Sequence, residues 1–282
     1  MRLFICAGKK FRSNNDMLDI AAGVFLDAGC SLYALNETMD LFPENSARIV
    51  FLDRITSVNF NAFLSIGGDG TLLYNSQYAL EEDKPILGAN AGSLGFLCAF
   101  DLKKHREAIT HEAINSLLVS ERLVLEASSH GIEGRTSVND VVIMRAPISR
   151  SIELDLFKNG THLMRYRADG VIIATPTGST AYSFSAGGPV VDPSMDVILI
   201  TPICAHSSMS RSIVVSGSDE ITIEVSKRSG NSAYLSSDSF ESSILDSGSR
   251  VTVRRSNKKL RLLVSNYDKY IEALNNKFSE SV

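Results

Sequence analysis

The sequence predicts an α/β N-terminal domain built on a parallel sheet, a C-terminal all-β domain, and a final helix docking back on the N-terminal one. Three observations carry that expectation. The first hundred residues alternate short apolar runs with amphipathic stretches of helical period, as βαβ units do. From Arg122 to about Arg254 the period changes to alternating or wholly apolar runs separated by turn signals. The last stretch, 268–277, is again amphipathic, with Tyr270, Ile271, Leu274 and Phe278 on one face that it cannot bury alone. The division expected is residues 1–100, with 265–282 docking back, and residues 101–264.

Residues 3–7 read as a buried strand, followed by a polar, basic loop over 8–15. Asp16 is placed to cap a helix over 17–27, with Leu18, Ala21, Ala22, Phe25 and Leu26 on one face and Gly29 ending it. Residues 31–35 give a second strand, and this βαβ start implies parallel pairing. The stretch 36–61 is the least regular, with 48–52 either a strand or part of a helix. Residues 63–66 and 85–89 read as further buried strands, and 103–118 as a helix with Ala108, Ile109, Ala113, Ile114 and Leu117 inward. Strands are then expected at 123–127, 138–144, 152–157, 162–167, 170–174, 197–201, 220–225, 233–237, 250–254 and 261–264. Asn159-Gly160, between two of them, is a strong hairpin signal.

Composition narrows the function classes. A hydrophobic share of 44% with 21% charged residues belongs to a globular chain, and 282 residues suffice for two domains. The net charge of -4 argues against general nucleic-acid binding. The basic cluster Arg254, Arg255, Lys258, Lys259 and Arg261 reads as a solvated hairpin face. The longest apolar run, from Val197 to Ile200, is broken by Thr201 and Pro202, short of membrane-spanning length. The N-terminal MRLFICAGKK has too short an apolar core for a signal peptide. Cys6, Cys30, Cys98 and Cys204 form no CxxC pair and no zinc-ligand spacing with the histidines, so they read as reduced, small apolar residues of a cytoplasmic protein. No nucleic acid and no membrane is expected as a partner.

The chemistry centres on FLSIGGDGTLL, residues 63–73. A buried strand runs into Gly67, Gly68 and Gly70, and Thr71 can cap a following helix over 72–80. Such a turn aims backbone N–H groups and a helix N-terminus at one spot, which suits a phosphate. Asp69 sits in the middle of it. A carboxylate there repels a phosphate unless it holds a metal or takes a proton, and that tension points to phosphoryl transfer at a hydroxyl. The plainer reading is an ordinary strand-to-helix turn, for which three glycines around one Asp are more than is needed. No GxxxxGK[ST] occurs, so no P-loop lysine is available. In 88–97, Gly88, Gly92 and Gly95 leave room for close approach of a ligand, or for a crossover between domains.

A second polar cluster spans 167–193, RADGVIIATPTGSTAYSFSAGGPVVDP. An apolar strand runs into Pro176, and Gly178 and Ser179 can open a short helix. The hydroxyls of Thr177, Ser179, Thr180, Tyr182, Ser183 and Ser185 are too many for a core and fit a surface that hydrogen-bonds a sugar or phosphate. Gly187, Gly188 and Pro189 then turn the chain.

Taken together, GGDGT at 67–71, GxNxGxLGFL at 88–97, Asn139-Asp140, and Asp169-Gly170 followed by ATPTGSTAYSFSAGGP at 174–189 make the chain resemble the NAD kinases over nearly its whole length. GGDGT alone is also similar to diacylglycerol kinases and 6-phosphofructokinases; the 175–189 stretch is similar only to NAD kinases. The resemblance implies transfer of a phosphoryl group from ATP or polyphosphate to the 2′-hydroxyl of the adenosine ribose of NAD, giving NADP. It further implies a divalent metal, normally Mg²⁺, a homodimer or homotetramer, and a C-terminal helix that returns to the N-terminal domain. By motif position, Asp69 matches the proton acceptor and Gly70 lies against the ligand. Asn139 and Asp140 match the pair that contacts NAD. Arg150, Arg167 and Asp169 fall where the family binds NAD through polar side chains. Thr177 and the run Thr180, Ala181, Tyr182, Ser183, Phe184 and Ser185 match the ribose and nicotinamide wall. No residue is carried over as a metal ligand.

Three positions depart from the family pattern. Ala205 follows Cys204 where a proline is common, Ser212 stands where proline precedes Ile213-Val214, and Phe240 follows Asp238-Ser239 where a glutamine is common. The last removes one ligand hydrogen bond. Two other functions stay open at this point: a lipid or sugar kinase sharing only GGDGT, for which 175–189 has no counterpart, and a non-catalytic NAD(P)-sensing module, which gains nothing from a carboxylate beside phosphates.

Overall fold

The structure is a computed structural model that describes residues 1–7, 15–92, 95–104, 106–146, 151–206, 211–227, 232–265 and 269–279. The basic loop 8–14 and Arg150 therefore lie outside the described residues. In chain order the elements are β1 (Arg2–Ile5), α1 (Asn15–Asp27), β2 (Ser31–Leu35), β3 (Val50–Leu52), β4 (Ala62–Ile66), α2 (Asp69–Glu81), β5 (Ile86–Asn90), β6 (Phe100–Asp101), α3 (His111–Asn115) and β7 (Leu118–Arg122). The middle of the chain carries β8 (Leu125–Ser129), β9 (Ile132–Ser137), β10 (Asp140–Arg145), β11 (Ile152–Lys158), β12 (Thr161–Ala168), β13 (Gly170–Ala174), α4 (Tyr182–Ser185), β14 (Val197–Ile203), β15 (Ile213–Ser216), β16 (Ile221–Val225), β17 (Ala233–Ser237), β18 (Glu241–Leu245) and β19 (Arg250–Arg255). It ends on β20 (Leu260–Val264) and α5 (Lys269–Ser279).

The chain divides into one unit of Met1–Glu121 with Leu260–Val282 and a second of Arg122–Lys259. This differs from the expected division at 100/101 and 264/265. Leu102, Ile109 and Ile114 are buried in the same core as β1 and α1, which keeps 101–121 with the first unit. β20 pairs in parallel with β5, Leu262 opposite Ile86, which puts 260–264 there too.

In the first unit the strand order is β3-β2-β1-β4-β5-β20-β7, with β6 beside β5. The pairs β1–β2, β1–β4, β4–β5 and β5–β20 are parallel. β4 and β5 are buried along their whole length, as the continuous apolar runs require of inner parallel strands. The strand order reverses between β1 and β4, and in open α/β sheets ligands bind at the carboxyl end of such a reversal.

Three local expectations are corrected here. Asp69, not Leu72, opens the helix: Gly68 takes the cap position in extended backbone and Thr71 lies inside the first turn. The helix expected over 103–118 is broken. Asp101 accepts the Lys103 and Lys104 amides, Thr110 is extended and caps α3 by accepting the Ala113 amide, and Leu118 already begins β7. In α5, Ala273 is buried while Ile271 is 51% exposed, because the inward stripe follows positions 270, 273 and 274. The Phe278 side chain lies outside the described residues.

The second unit consists of two antiparallel six-stranded sheets, β15-β14-β13-β10-β17-β18 and β12-β11-β16-β19-β8-β9. Alternate residues of both, among them Val141, Ile143, Ile173 and Ile200 from one and Leu154, Ile223 and Val253 from the other, fill one core. Asn159 and Gly160 both take left-handed backbone angles and close the β11–β12 hairpin as expected. On the outer face of the first of these sheets, Val142, Ile172 and Leu199 pack with Val191 and Ala186 of the segment that follows α4. Among the described residues no helix is long and apolar enough to cross a membrane.

Candidate functional site

In the first unit, β4 delivers Gly67 to the carboxyl edge of the sheet. Gly67 has a φ of +149°, and a Cβ there would lie 2.4 Å from the Thr71 Oγ1. No side chain fits. The Gly67 amide donates to the Ala89 carbonyl at 2.9 Å and the Gly67 carbonyl accepts the Ala91 amide at 3.3 Å, so the turn is pinned to the end of β5. The Asp69 carboxylate then accepts the Phe96 amide at Oδ2, 2.7 Å, and the Leu97 amide at Oδ1, 3.1 Å. A Cβ on Gly95 would lie 2.1 Å from Asp69 Oδ1, so only glycine leaves room for this clamp. The two glycine-rich motifs of the sequence thus converge on one acid.

The other face of the turn is open. A Cβ on Gly68 or Gly70 would meet nothing within 4 Å. A cavity of about 200 Å³ beside it is lined by Ile66, Gly67, Gly68 and Thr71 with Met17 and Leu18 of α1 and Ala91 and Gly92. It lies at the β1/β4 reversal, where α2 presents its N-terminal partial positive charge. Cys98 is inert: burial pushes its thiol well above the ordinary range.

In the second unit, the antiparallel register of β10 and β13 sets Asp140 opposite Ala174. The chain leaving β13 therefore folds over residues 138–140. The Thr175 amide donates to the Asn139 carbonyl at 2.9 Å, and its hydroxyl donates to the Val138 carbonyl at 2.6 Å while accepting the Gly178 amide at 3.0 Å. A Cβ on Gly178 would stand 2.1 Å from the Asn139 carbonyl oxygen. From the other side the Asp238 carboxylate accepts the amides of Val138, Asn139 and Asp140 at 2.7, 2.8 and 3.0 Å. Burial, then the neighbouring Asp238 charge, pushes the Asp140 carboxyl up to about 7. Burial raises Asp238 as well, against the pull of its three amide donors.

The hydroxyl-rich stretch is partly internal, contrary to expectation. Thr177, Ser179 and Ser183 are buried. Ser179 bonds the backbone of Val191 and Ser183 bonds the Thr201 hydroxyl at 2.9 Å, so these hydroxyls tie the segment to β14 and its approach. Ser185 and the rings of Tyr182 and Phe184 are exposed, with Thr180 and Ala181 half-buried beside them. The Asp169 carboxylate accepts Arg145 Nε at 2.7 Å, and the exposed Arg167 reaches the Ser151 hydroxyl at 3.3 Å. Phe240 is 40% exposed beyond a turn in which Asp238 and Ser239 both have positive φ.

Residues 33–114 match the pattern described as the ATP-NAD kinase N-terminal domain, and residues 138–265 match the ATP-NAD kinase C-terminal domain. An NAD kinase of Chlorobium phaeobacteroides is 35% identical over 274 residues, covering 94% of this chain and 93% of its own.

This chain belongs to the NAD kinase family.

It is a kinase that phosphorylates NAD. An NAD kinase of Lachnoclostridium phytofermentans is 36% identical over 227 residues, 76% of this chain and 79% of its own. Among solved structures, yeast NADH kinase complexed with NADH superposes with a TM-score of 0.80 at 26% identity, over 98% of this chain and 86% of that one. Within the NAD kinase framework, Asn139, Asp140, Thr177 and Thr180 belong to one backbone-bonded cluster. Asp238, Arg145 and Thr175, which hold that cluster and Asp169 in place, were not legible as site residues. Their partners lie up to 100 positions away in the chain, and the motifs that include Thr175 and Asp238 do not print what those residues bond.

Proposed function

We propose that this chain transfers the γ-phosphoryl group of ATP, or a terminal phosphoryl group of polyphosphate, to the 2′-hydroxyl of the adenosine ribose of NAD, giving NADP. The observation that carries the reading is the Asp69 carboxylate, fixed at the first turn of α2 by the Phe96 and Leu97 amides. A carboxylate oxygen can accept more than one hydrogen bond, so this clamp is compatible with Asp69 also taking a hydroxyl proton. The ribose oxygen attacks phosphorus, its proton passes to Asp69, and the bond to the departing ADP oxygen breaks. Asp69 then yields the proton to solvent. Held by two amides at a helix N-terminus, Asp69 orients the hydroxyl and accepts the proton late, which a loose phosphoryl transfer tolerates. The amides of the glycine turn serve the donor phosphates in place of a P-loop lysine.

Among the described residues no three His, Cys, Asp or Glu side chains converge on one point. That donor set suits a divalent cation carried in on the donor's phosphates, as Mg²⁺ commonly is, rather than one caged by the protein. Bound there, it supplies charge neutralisation. Asn139, Asp140, Arg167 and Asp169 are the proposed polar contacts to NAD, with Gly70 against the ligand. Thr177, Thr180, Ala181, Tyr182, Ser183, Phe184 and Ser185 form the proposed wall, its buried hydroxyls acting through packing, and Arg150 is retained by family position alone. We further infer a homodimer or homotetramer working in the cytoplasm, as the family resemblance implies; sedimentation of the purified protein checks the first.

The test is Asp69→Asn assayed with labelled ATP and NAD. Loss of about 10²-fold or more in kcat, with NAD binding retained, is expected. A kcat near that of the unmodified protein removes Asp69 from the chemistry.

A further inference from the structure

The clamp on Asp69 is itself held from behind. Phe96 donates its amide to the carboxylate at 2.7 Å and turns its ring to that of Tyr270, with centroids 5.9 Å apart and planes tilted by 49°. Tyr270 stands in the first turn of α5, which is 11 residues long. Beside Phe96 the packing is loose. A cavity of about 520 Å³ separates α5 from the 95–104 segment, lined among others by Phe96, Cys98, Phe100, Glu272 and Ala273. Phe96 therefore has one end fixed on the acid and its ring on the helix, beside a space into which it can withdraw. Gly95, which precedes it, has no side chain to resist that movement.

From this we infer that Tyr270 is a positioning residue for phosphoryl transfer: its ring holds Phe96 so that the 96–97 amides keep the Asp69 carboxylate in its reacting orientation. The inference rests on the reading of Asp69 given above. Aromatic pairs are worth enough beyond their buried area to shift such an equilibrium by about three- to tenfold. Because the ring acts through the acid and not on either substrate, its loss lowers turnover and leaves the KM values in place.

The experiment compares Tyr270→Ala, Tyr270→Leu and Tyr270→Phe in the full chain, with Asp69→Asn alongside. Tyr270→Ala is expected to lower kcat by about three- to tenfold, with KM for NAD and ATP within about twofold. Tyr270→Phe is expected to restore kcat, since it keeps the ring. Tyr270→Leu, which keeps apolar bulk on α5, stands in should the alanine variant melt early, and it is expected to show the same loss. A kcat within twofold of the unmodified enzyme in both Ala and Leu variants overturns the proposal while a damaged Asp69→Asn leaves the Asp69 reading intact. A phenylalanine variant as slow as the alanine one also overturns it. An active Asp69→Asn variant overturns both.

Discussion

Asp140 and Asp238 are carboxylic acids with almost no water around them, 4% and 6% exposed. Two like charges in one dry site do not both ionise readily, and Asp140 responds by holding its proton up to about 7. The unfolded chain releases the same proton near pH 4, at the ordinary aspartate value of about 3.9. Between those values the folded state binds more protons than the unfolded one. The stability contributed by this group is thus full below about pH 4 and is lost as the pH rises towards about 7. Asp155, Asp192 and Asp219 are drawn the opposite way, Asp192 chiefly by its bonds from Ser194 and Asp219 by Asn159, so the slope of the whole protein mixes signs. The difference between the unmodified chain and Asp140→Asn isolates the one group. Melting temperatures at pH 5 and pH 8 are expected to fall more in the unmodified chain than in the variant; equal falls would show that Asp140 ionises normally.

The turn after β17 acts on the start of β10 as one element. Asp238 supplies the acceptor for three successive amides, two of them on fully buried residues or nearly so. Asp238→Ala leaves those donors without it, at about 1–3 kcal/mol for each buried group left unsatisfied. A loss of about 3 kcal/mol or more in urea unfolding is expected, with a raised KM for NAD in whatever folded fraction remains. A variant as stable as the unmodified chain would mean that water replaces the carboxylate. The bonds of this turn were not visible in the sequence, which shows only Asp238-Ser239 after an expected strand, whereas β4, β5, β13 and β14 were plain. The difference is burial: inner strands write continuous apolar runs, and Asn159-Gly160 writes its own turn. Of the strands that the pattern missed, β7, β9, β15 and β18 stand at the ends of their sheets, and β6 is only two residues long beside β5. β9 reads IEGRTS and β18 reads ESSIL, half-solvated sequences with little period to detect. The 103–118 helix failed for a related reason: of its expected inward residues Ile109 and Ile114 are buried but Ala108 is exposed, because Asp101 and Thr110 cap two separate turns instead of one long helix. For the candidate site, the motifs pointed to Asp69 and the 139–140 pair. What holds them came from register, which a single sequence does not print.

At the scale of the whole molecule, the second unit is continuous in sequence and the first is not. Residues 122–259 own a core of their own, and an isolated 122–259 fragment is expected to unfold cooperatively in urea, with native-like far-ultraviolet dichroism. Residues 1–121 lack β20, which lies between β5 and β7 and buries Leu260 and Leu262 almost fully. That fragment is expected to show no cooperative transition. A cooperative 1–121, or an unstructured 122–259, would contradict the division. The order of synthesis gives this topology a further meaning. On the ribosome the middle of the chain has its complete set of strands before β20 emerges, while the sheet that carries the glycine turn must wait for β20. A nascent chain halted between the two would therefore carry a finished sandwich and a glycine turn whose neighbouring strand β5 still lacks its β20 partner.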